Sequence, residues 1–165
     1  YPGEMGGKAI AQLLFGEYSP SGKLPVTIYS STKDLPDFND YSMKNRTYRY
    51  FNGTPEFPFG FGLSYTEFQY SELQKEEIDG KIKVAVTVKN VGDFDGREVV
   101  KLFKSEKDAV NQPIKSLARF KKIDLKKGEE KTVEFVLTPE DFTHINENGE
   151  KEYLSADMFE IFIEK

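Results

Sequence analysis

Apolar and polar residues follow two different patterns along the chain, and the change lies near Tyr65. After that residue, apolar and polar side chains alternate in short segments, which is typical of half-buried β-strands. Before it, one segment has helical spacing and the remainder has no regular period. The pattern therefore predicts a β-rich C-terminal domain that is preceded by a different kind of structure.

The C-terminal part predicts about seven short strands. The clearest alternation runs from Ile82 to Val88 and ends at the turn signal Asn90-Val91-Gly92. Asn148-Gly149 favours a hairpin between residues 144–146 and 151–153. The other strands are expected at Phe68–Tyr70, Val99–Phe103, Leu117–Leu125, Val133–Leu137 and Phe159–Ile163. Seven strands at this spacing, without a cysteine pair, favour an immunoglobulin-like β-sandwich of fibronectin type III form.

One helix is predicted before this domain, over Glu4–Phe15. Its apolar stripe consists of Met5, Ala9, Ile10, Leu13 and Leu14. Gly16 suits a left-handed helix end, and Leu24–Tyr29 is expected to be extended. Such a helix normally packs on a sheet, yet only one strand-like segment follows it. Residues 1–29 are therefore interpreted as the end of an α/β domain whose remaining elements lie upstream.

Residues 30–64 form a predicted connector with no long element. A loop of this length is uncommon unless it is functional or packs on another domain. Its aromatic residues are too many to leave in water, so the segment is expected to lie against a surface. They are Tyr41, Tyr48, Tyr50, Phe51, Phe57, Phe59 and Phe61. The sandwich is expected to occupy residues 65–165.

The net charge and the cysteine content of the chain exclude some classes of function. The formal net charge of −5 over 165 residues argues against nucleic acid as a main partner, because phosphate binding needs a basic surface. The absence of cysteine excludes disulfides and thiolate metal sites, and it fits a reducing or an oxidising compartment equally well. No apolar run approaches the roughly 18 residues of a membrane helix. No cofactor is predicted.

Ordered motifs run through the whole chain. The first two read Pro2-Gly3-Glu4-x-Gly6-Gly7-x-Ala9-Ile10-Ala11-x-x-Leu14-Phe15-Gly16 and Ser19-Pro20-Ser21-Gly22-Lys23-Leu24-Pro25-Val26-Thr27. The connector contains Asp40-Tyr41-Ser42-Met43-Lys44-x-Arg46-Thr47-Tyr48-Arg49-Tyr50-Phe51 and Phe57-Pro58-Phe59-Gly60-Phe61-Gly62-Leu63-Ser64-Tyr65-Thr66. The sandwich contains Val88-x-Asn90-x-Gly92, Gly96-x-Glu98-Val99-Val100 and Leu117-x-x-Phe120-x-x-Ile123-x-Leu125-x-x-Gly128-Glu129. In this order they resemble the C-terminal region of glycoside hydrolase family 3, in its β-xylosidase and β-glucosidase branch.

The resemblance implies a parent enzyme that hydrolyses β-linked glucosides or xylosides from the chain end with retention. In that family an Asp of an N-terminal barrel domain is the nucleophile, and a Glu of the second domain is usually the acid/base. Neither lies in the matched region, so no catalytic residue is assigned. The partners implied are the missing N-terminal domains and the oligosaccharide substrate. A periplasmic or extracellular location is favoured over a cytoplasmic one.

The chain is accordingly interpreted as a structural, interdomain module. The alternative is that its sandwich is a carbohydrate-binding or protein-interaction module. Lys101 and Phe103 stand where the family often has Gln and Tyr, and they are expected on the sandwich surface. The hairpin near Asn148 is short and lacks the Trp of some members. These departures weaken a claim of substrate binding by the sandwich.

Several residues have the chemistry of a functional site but also have plain structural roles. Four connector residues are candidates for sugar contact, although packing between domains is favoured because a connector must first hold two domains together: Arg46, Tyr48, Arg49 and Tyr50. The adjacent carboxylate pairs are expected to be solvated: Glu76-Glu77, Glu129-Glu130 and Glu140-Asp141. The single histidine, His144, is expected to be a surface or hairpin residue. Asp93–Gly96 favours a turn over a calcium loop, so no metal site is predicted.

The exposed stripe of helix 4–15 has a further consequence. Leaving several large aliphatic side chains in water is unfavourable, because each is worth about 1.5–3 kcal/mol when fully buried. The helix is therefore expected to pack on the sandwich or connector, to pair with a second copy, or to fray. A homodimer through this helix is predicted for concentrated samples.

Overall fold

A computed structural model describes residues 3–146 and 148–164. Helix α1 spans Gly6–Leu14 and helix α2 spans Thr47–Tyr50. Before the sandwich, strands β1 (Ile28–Tyr29) and β2 (Pro55–Phe57) form a small antiparallel pair. The later strands are β3 (Phe68–Tyr70), β4 (Gln74–Ile78), β5 (Lys81–Asn90), β6 (Gly96–Glu106), β7 (Ser116–Leu125), β8 (Glu130–Leu137), β9 (Thr143–Ile145), β10 (Lys151–Tyr153) and β11 (Phe159–Ile163).

Seven of the described strands form two antiparallel sheets. In the first sheet, β5 pairs with β8 along one edge, while β3 and β4 share its other edge. In the second sheet, β6 lies between β7 and β11. Strands β9 and β10 form a separate hairpin. The predicted mainly β fold, a sandwich of about seven strands, is confirmed.

The core lies between the two sheets and follows the alternation of apolar residues. Every second residue of a strand points to the same face, so one apolar face per sheet is buried. The first sheet contributes Val84, Val86, Val88, Val133, Phe135 and Leu137. The second contributes Val100, Leu102, Ile123, Leu125, Phe159 and Ile161. The strand phase predicted from the sequence is therefore the phase that packs.

Strand β4 is a difference from the sequence-based prediction. Its residues Gln74–Ile78 are all exposed, and they carry no apolar alternation that could reveal them. The strand forms because its main chain pairs with that of β5, from Gln74 opposite Ala85 to Ile78 opposite Lys81. Pairing with a strand that is already formed needs no apolar face.

The N-terminal elements are shorter than predicted. Helix α1 begins at Gly6 and ends at Leu14, while Gly16 has the expected left-handed φ of 74°. The predicted extended segment Leu24–Tyr29 is a strand only at Ile28–Tyr29. Leu24 lies outside the β1–β2 pair, and it exchanges main-chain hydrogen bonds with the connector.

Candidate functional site

Strand β6 is buried on both faces, which marks where the connector docks. Val100 and Leu102 belong to the sandwich core, and the neighbouring side chains of Lys101 and Phe103 are buried as well. Adjacent residues of a strand point to opposite faces, so a second layer must cover the outer face of β6. Connector residues supply that layer. We call this contact the connector interface, and it comprises Lys23, Tyr48, Phe59, Gly60, Tyr70, Glu98, Lys101 and Phe103.

Aromatic rings form the apolar half of the connector interface. Tyr48 stacks on Phe59 with ring centroids 4.1 Å apart. Phe103 meets both rings edge-on, at 6.1 Å and 6.2 Å. The Tyr48 hydroxyl also accepts a hydrogen bond of 3.1 Å from the main-chain N–H of Leu117. Such edge and stacked contacts each add about 0.5–1.5 kcal/mol beyond area burial, so these rings hold the connector on the sandwich.

Charged groups form the other half. The Glu98 carboxylate accepts a hydrogen bond of 2.9 Å from the Tyr70 hydroxyl and pairs with the Lys23 ammonium at 3.2 Å. The buried Lys101 ammonium donates to the carbonyl of Gly60 at 3.0 Å. One carboxylate thus joins β3 and β6 to the segment that follows α1, while Lys101 joins β6 to the connector.

Burial shifts the pKa values of two groups in this cluster. Desolvation lowers the pKa of Lys101, and the nearby Lys23 charge lowers it further against the opposing attraction of Glu98. Desolvation, followed by the charge of Glu98, raises the pKa of the Tyr70 hydroxyl. The hydroxyl therefore stays protonated and keeps donating to Glu98.

The sequence-based expectation that Lys101 and Phe103 lie on the sandwich surface is wrong, since they are 5% and 0% exposed. The signal was present in the sequence. Large side chains occupy every position from Val99 to Phe103, and a strand that is buried on both faces has this lack of alternation. Glu98 was missed for a different reason, because a carboxylate in a strand normally indicates a solvated face.

Two glycines of the junction motif let the backbones meet. Gly60 has a φ of 84°, and its N–H donates to the carbonyl of Leu24 at 2.8 Å. The N–H of Leu24 donates in turn to the carbonyl of Phe61 at 2.8 Å. A Cβ on Gly62 would lie 2.2 Å from the carbonyl oxygen of Gly22. The motif therefore encodes a close main-chain contact between the connector and the segment after α1.

Asn90 organises the sandwich end next to this junction. Its side chain is fully buried and accepts a hydrogen bond of 2.6 Å from the Thr66 hydroxyl. Its amide nitrogen donates to the carbonyls of Phe94 at 2.8 Å and Leu125 at 3.1 Å. A Cβ on Gly92 would lie 2.3 Å from the Thr66 hydroxyl oxygen. The Asn90-x-Gly92 motif is thus a buried polar anchor between β5, β7 and the start of the sandwich.

The four predicted sugar-contact residues fall into two pairs. Arg46 donates to main-chain carbonyls of the preceding loop, and Tyr48 belongs to the connector interface. The Arg49 guanidinium lies over the Tyr50 ring, 5.8 Å from its centroid, and the Arg49 carbonyl accepts a hydrogen bond of 2.6 Å from the Ile114 N–H. Contact with sugar by these residues stays a prediction.

The sequence predicted that the connector aromatics would be covered by packing against a protein surface, and only some of them are. Tyr48, Tyr50, Phe51 and Phe59 are half-buried. Tyr41 is 88% exposed, so the expectation that all of these rings would be covered is wrong for it. Tyr41 lies outside helix α2 and the junction motif, whereas the other four lie in or next to them.

The carboxylate pairs are mostly solvated, as expected, with one exception. Asp141 binds Arg119 through two hydrogen bonds of 2.7 Å and is largely covered. Asp93 pairs with Lys127 in a turn between strands, in line with the predicted turn. Among the described residues, no group of three or more acidic or histidine side chains is arranged to hold a metal ion.

His144 lies on the β9–β10 hairpin between two carboxylates. Its Nδ1 is 3.1 Å from an oxygen of Glu106 on β6, and its Nε2 is 3.1 Å from an oxygen of Glu152 on β10. Asn146 also donates to Glu152, at 2.7 Å. Both ring nitrogens can donate only in the imidazolium form. The hydrogen bond to Glu106, followed by that to Glu152, raises the pKa of His144.

This arrangement predicts a pH-dependent hairpin contact. The pKa of His144 in the folded chain exceeds the unfolded value of about 6.5. The contribution of His144 to the free energy of unfolding is therefore complete below about pH 6.5, and it is lost as the pH rises through the folded pKa. The melting temperature of the native chain should exceed that of His144→Gln at about pH 5.5, and the difference should shrink by about pH 8.5. Thermal unfolding of both proteins across this range measures it. Glu106→Gln should reduce the same dependence, because only Glu152 then raises the pKa of His144, and a pH-independent difference would contradict the imidazolium bridge.

A groove of about 1400 Å³ separates α1 from one end of the sandwich. Leu13, Leu24 and Phe61 line one side, and Arg97 and Leu125 line the other. The Tyr65 hydroxyl donates to the carbonyl of Leu13 at 2.6 Å and ties the helix to the sandwich. Several apolar side chains of the helix region nevertheless remain exposed: Met5, Ile10, Leu14 and Phe15.

None of the described helices has both the length and the apolar character needed to cross a membrane.

Comparison with known proteins places these features in context. The model of the glycosyl hydrolase family 3 C-terminal domain matches residues 1–65, and that of the fibronectin type III-like domain matches residues 98–165. The chain is 46% identical to a xylan 1,4-beta-xylosidase of Xylanibacter ruminicola, over 85% of the chain and 16% of that protein. It is 39% identical to a periplasmic beta-glucosidase of Salmonella typhimurium, over 82% of the chain and 20% of that protein.

Solved structures agree with this relationship. A beta-glucosidase from Chaetomella raphigera superposes with a TM-score of 0.85 at 31% identity, over 98% of this chain and 27% of that one. The chain therefore spans between about a sixth and about a quarter of the length of the proteins that it matches.

Proposed function

Because the chain belongs to glycoside hydrolase family 3, as the C-terminal region of such a protein, we propose that it is a structural, interdomain module of a β-glycosidase. The connector interface carries the proposal. A strand of the sandwich is buried on its outer face by residues that precede the sandwich, and a buried charge cluster joins the two parts. An independent ligand-binding sandwich needs no such layer.

The parent activity that this module supports is retaining hydrolysis of β-linked glucosides or xylosides from the chain end. The relatives named above are a xylosidase and glucosidases, which supports this substrate class. Retaining glycosidases use two carboxyl groups about 5 Å apart, one as nucleophile and one as acid/base. We propose that both belong to the domains that precede this region in the full protein.

The domain division is part of the proposal, with residues 1–29 as the end of the α/β domain, 30–64 as the connector and 65–165 as the sandwich. The separate core of the two sheets supports it. Limited proteolysis is expected to leave a fragment that begins between Asn52 and Phe68. Neither that fragment nor the whole chain should hydrolyse aryl β-xylosides or aryl β-glucosides. Turnover above a buffer blank that survives repurification would contradict the proposed role.

The connector residues complete the proposed site. Arg46 and Tyr48 use their polar atoms within the chain, while Arg49 and Tyr50 keep side chains that can extend toward the preceding domains. We propose that Arg49 and Tyr50 reach the sugar pocket of the parent enzyme and that Arg46 and Tyr48 hold the connector in the geometry this requires.

The exposed helix α1 is proposed to contact the missing α/β domain in the parent and a second copy in the isolated chain. Its exposed apolar residues include Ile10 and Leu14, and a symmetric dimer would bury these side chains on both copies. The double variant Leu13→Glu, Leu14→Glu should be monomeric, whereas Lys8→Glu on the same helix should still dimerise. Sedimentation at high concentration measures both. A monomeric native chain with an ordered helix would show the dimer proposal to be wrong.

A further inference from the structure

The β6–β7 loop, residues 107–115, contacts both the β9–β10 hairpin and the connector. On the hairpin side, the Gln112 side-chain amide donates a hydrogen bond of 3.1 Å to the carbonyl of Ile145. On the connector side, the Ile114 N–H donates a hydrogen bond of 2.6 Å to the carbonyl of Arg49. One short loop therefore joins the hairpin that carries the single histidine to the segment that carries α2.

The conformation of the β6–β7 loop depends on the contacts at its two ends. Asp108 and Asn111 have φ values of 55° and 62°, in the left-handed region that is unfavourable for residues with a Cβ unless surrounding contacts offset it. The Ser105 hydroxyl donates to the carbonyl of Ile114 at 2.6 Å and holds the connector end of the loop on β6. At the hairpin end, the Gln112 side chain holds the loop. A change in the hairpin is therefore transmitted to the loop.

The hairpin carries a group that titrates near neutral pH at the point where the loop is attached. His144 precedes Ile145, and its two ring nitrogens each lie 3.1 Å from a carboxylate oxygen. Glu106 on β6 and Glu152 on β10 supply these oxygens, and among the described residues they are the charged groups that act on the ring. In the imidazolium form both nitrogens donate, so the ring joins the hairpin to the end of β6. In the neutral form one nitrogen is an acceptor that faces a carboxylate, so one of the two bonds is lost.

The charge of the connector acts on the same end of β6. Lys104 lies two residues before Glu106 and therefore on the same face of the strand. Desolvation lowers the pKa of Lys104 against the opposing charge of Asp141, whose carbonyl accepts a hydrogen bond from the ammonium. Arg49 lowers this pKa further, Glu106 raises it, and Arg119 lowers it. The connector cation and the carboxylate that holds the histidine therefore act on one common group.

We infer that protonation of His144 regulates how the β6–β7 loop holds the connector at Arg49. The charged ring fixes the hairpin against β6, and the hairpin holds the loop through Gln112. The loop then presents the Ile114 N–H to the Arg49 carbonyl. Loss of the proton loosens the first contact and weakens the others in turn. His144 is thus a positioning residue, and its functional consequence rests on the proposed function, in which Arg49 reaches the sugar pocket of the parent enzyme.

Nuclear magnetic resonance of the isotope-labelled chain tests the inference over the range of about pH 5.5–8.5. The amide proton shift of Ile114 reports its hydrogen bond to the Arg49 carbonyl. The ring C–H shifts of His144, the only histidine of the sequence, report its titration. We expect both signals of the native chain to titrate with one midpoint. The amide of Val86, within the paired strands β5 and β8, should not follow them.

Two variants separate transmission through the loop from a direct effect of charge. His144→Gln should abolish the titration of the Ile114 amide. Gln112→Ala should leave the histidine titrating, while the Ile114 amide no longer follows it, because the bond between hairpin and loop is removed. Gln74→Ala is the matched control, since Gln74 is an exposed glutamine on β4 in the other sheet, and both titrations should remain. Spectra with native dispersion show that each variant is folded.

Three results would overturn the inference. The Ile114 amide of the native chain does not titrate with the histidine, it still titrates in His144→Gln, or it still follows the histidine in Gln112→Ala. If His144→Gln does not fold, the native titration and Gln112→Ala decide the question. None of these results alters the outcome of the hydrolysis assay. That assay tests the proposed function separately, so a failure of one remains distinguishable from a failure of the other.

Discussion

Replacing Glu98 with glutamine is expected to lower the free energy of unfolding by about 3 kcal/mol. The substitution keeps the shape of the side chain and removes the carboxylate that pairs with Lys23 at 3.2 Å. Lys23 then loses its partner, and the buried Lys101 loses the nearer of the two carboxylates that act on it, since only Glu164 remains. The loss lies near the lower end for broken buried ion pairs, because the Lys23 side chain retains a path to solvent. Urea denaturation measures the change.

Glu134→Gln is the matched control for this prediction. Glu134 pairs with Lys83 at 2.9 Å, a shorter distance than that of the Lys23–Glu98 pair, but both of its groups are well exposed. Exposed ion pairs contribute about 0–1 kcal/mol, because water screens them. Equal losses in the two variants would mean that burial at the connector interface has no energetic weight, and the argument for a docked connector would then fail.

Asn90→Asp is expected to destabilise the sandwich by about 4 kcal/mol. The change is isosteric, yet it turns the amide donor toward Phe94 and Leu125 into an acceptor that faces two carbonyl oxygens. It also places a charge at a fully buried position. A buried group left without its partner is unfavourable by about 1–3 kcal/mol, and two carbonyls are affected together. The melting temperature and the urea midpoint should both fall.

Asn39→Asp controls for the chemistry of the substitution. Asn39 is exposed in the connector, and a surface substitution of this kind changes stability by no more than about 0.5 kcal/mol. A small effect at Asn90 would contradict the view that the Asn90-x-Gly92 motif is a buried anchor. The Thr66 hydroxyl bond provides a second check, since Thr66→Val should reproduce part of the loss.

Local patterns in the sequence predicted much of the fold. The alternation from Ile82 to Val88 identifies both the strand and the face that packs, because the side-chain period of a strand fixes which residues share a face. Gly16 was predicted to end the first helix and has the left-handed conformation this requires. The ordered motifs indicated the family. Each of these signals lies within a few residues of the feature that it predicts.

Local sequence patterns did not predict the connector interface. The burial of Lys101 depends on the carbonyl of Gly60, and the burial of Phe103 depends on Tyr48 and Phe59. These partners are separated by some forty residues or more, and no local pattern states that two such segments will meet. The same holds for β4, which exists because β5 offers it an edge.

By itself, the sequence determined the family, the two-sheet sandwich and the phase of its strands. The tertiary structure alone decided which outer face is covered, which charges are buried and which aromatic rings remain in water. His144 illustrates the division, since the hairpin position was predicted whereas its place between Glu106 and Glu152 was not. The physical reason is that backbone periodicity is a local property, whereas desolvation depends on every segment that packs around a group.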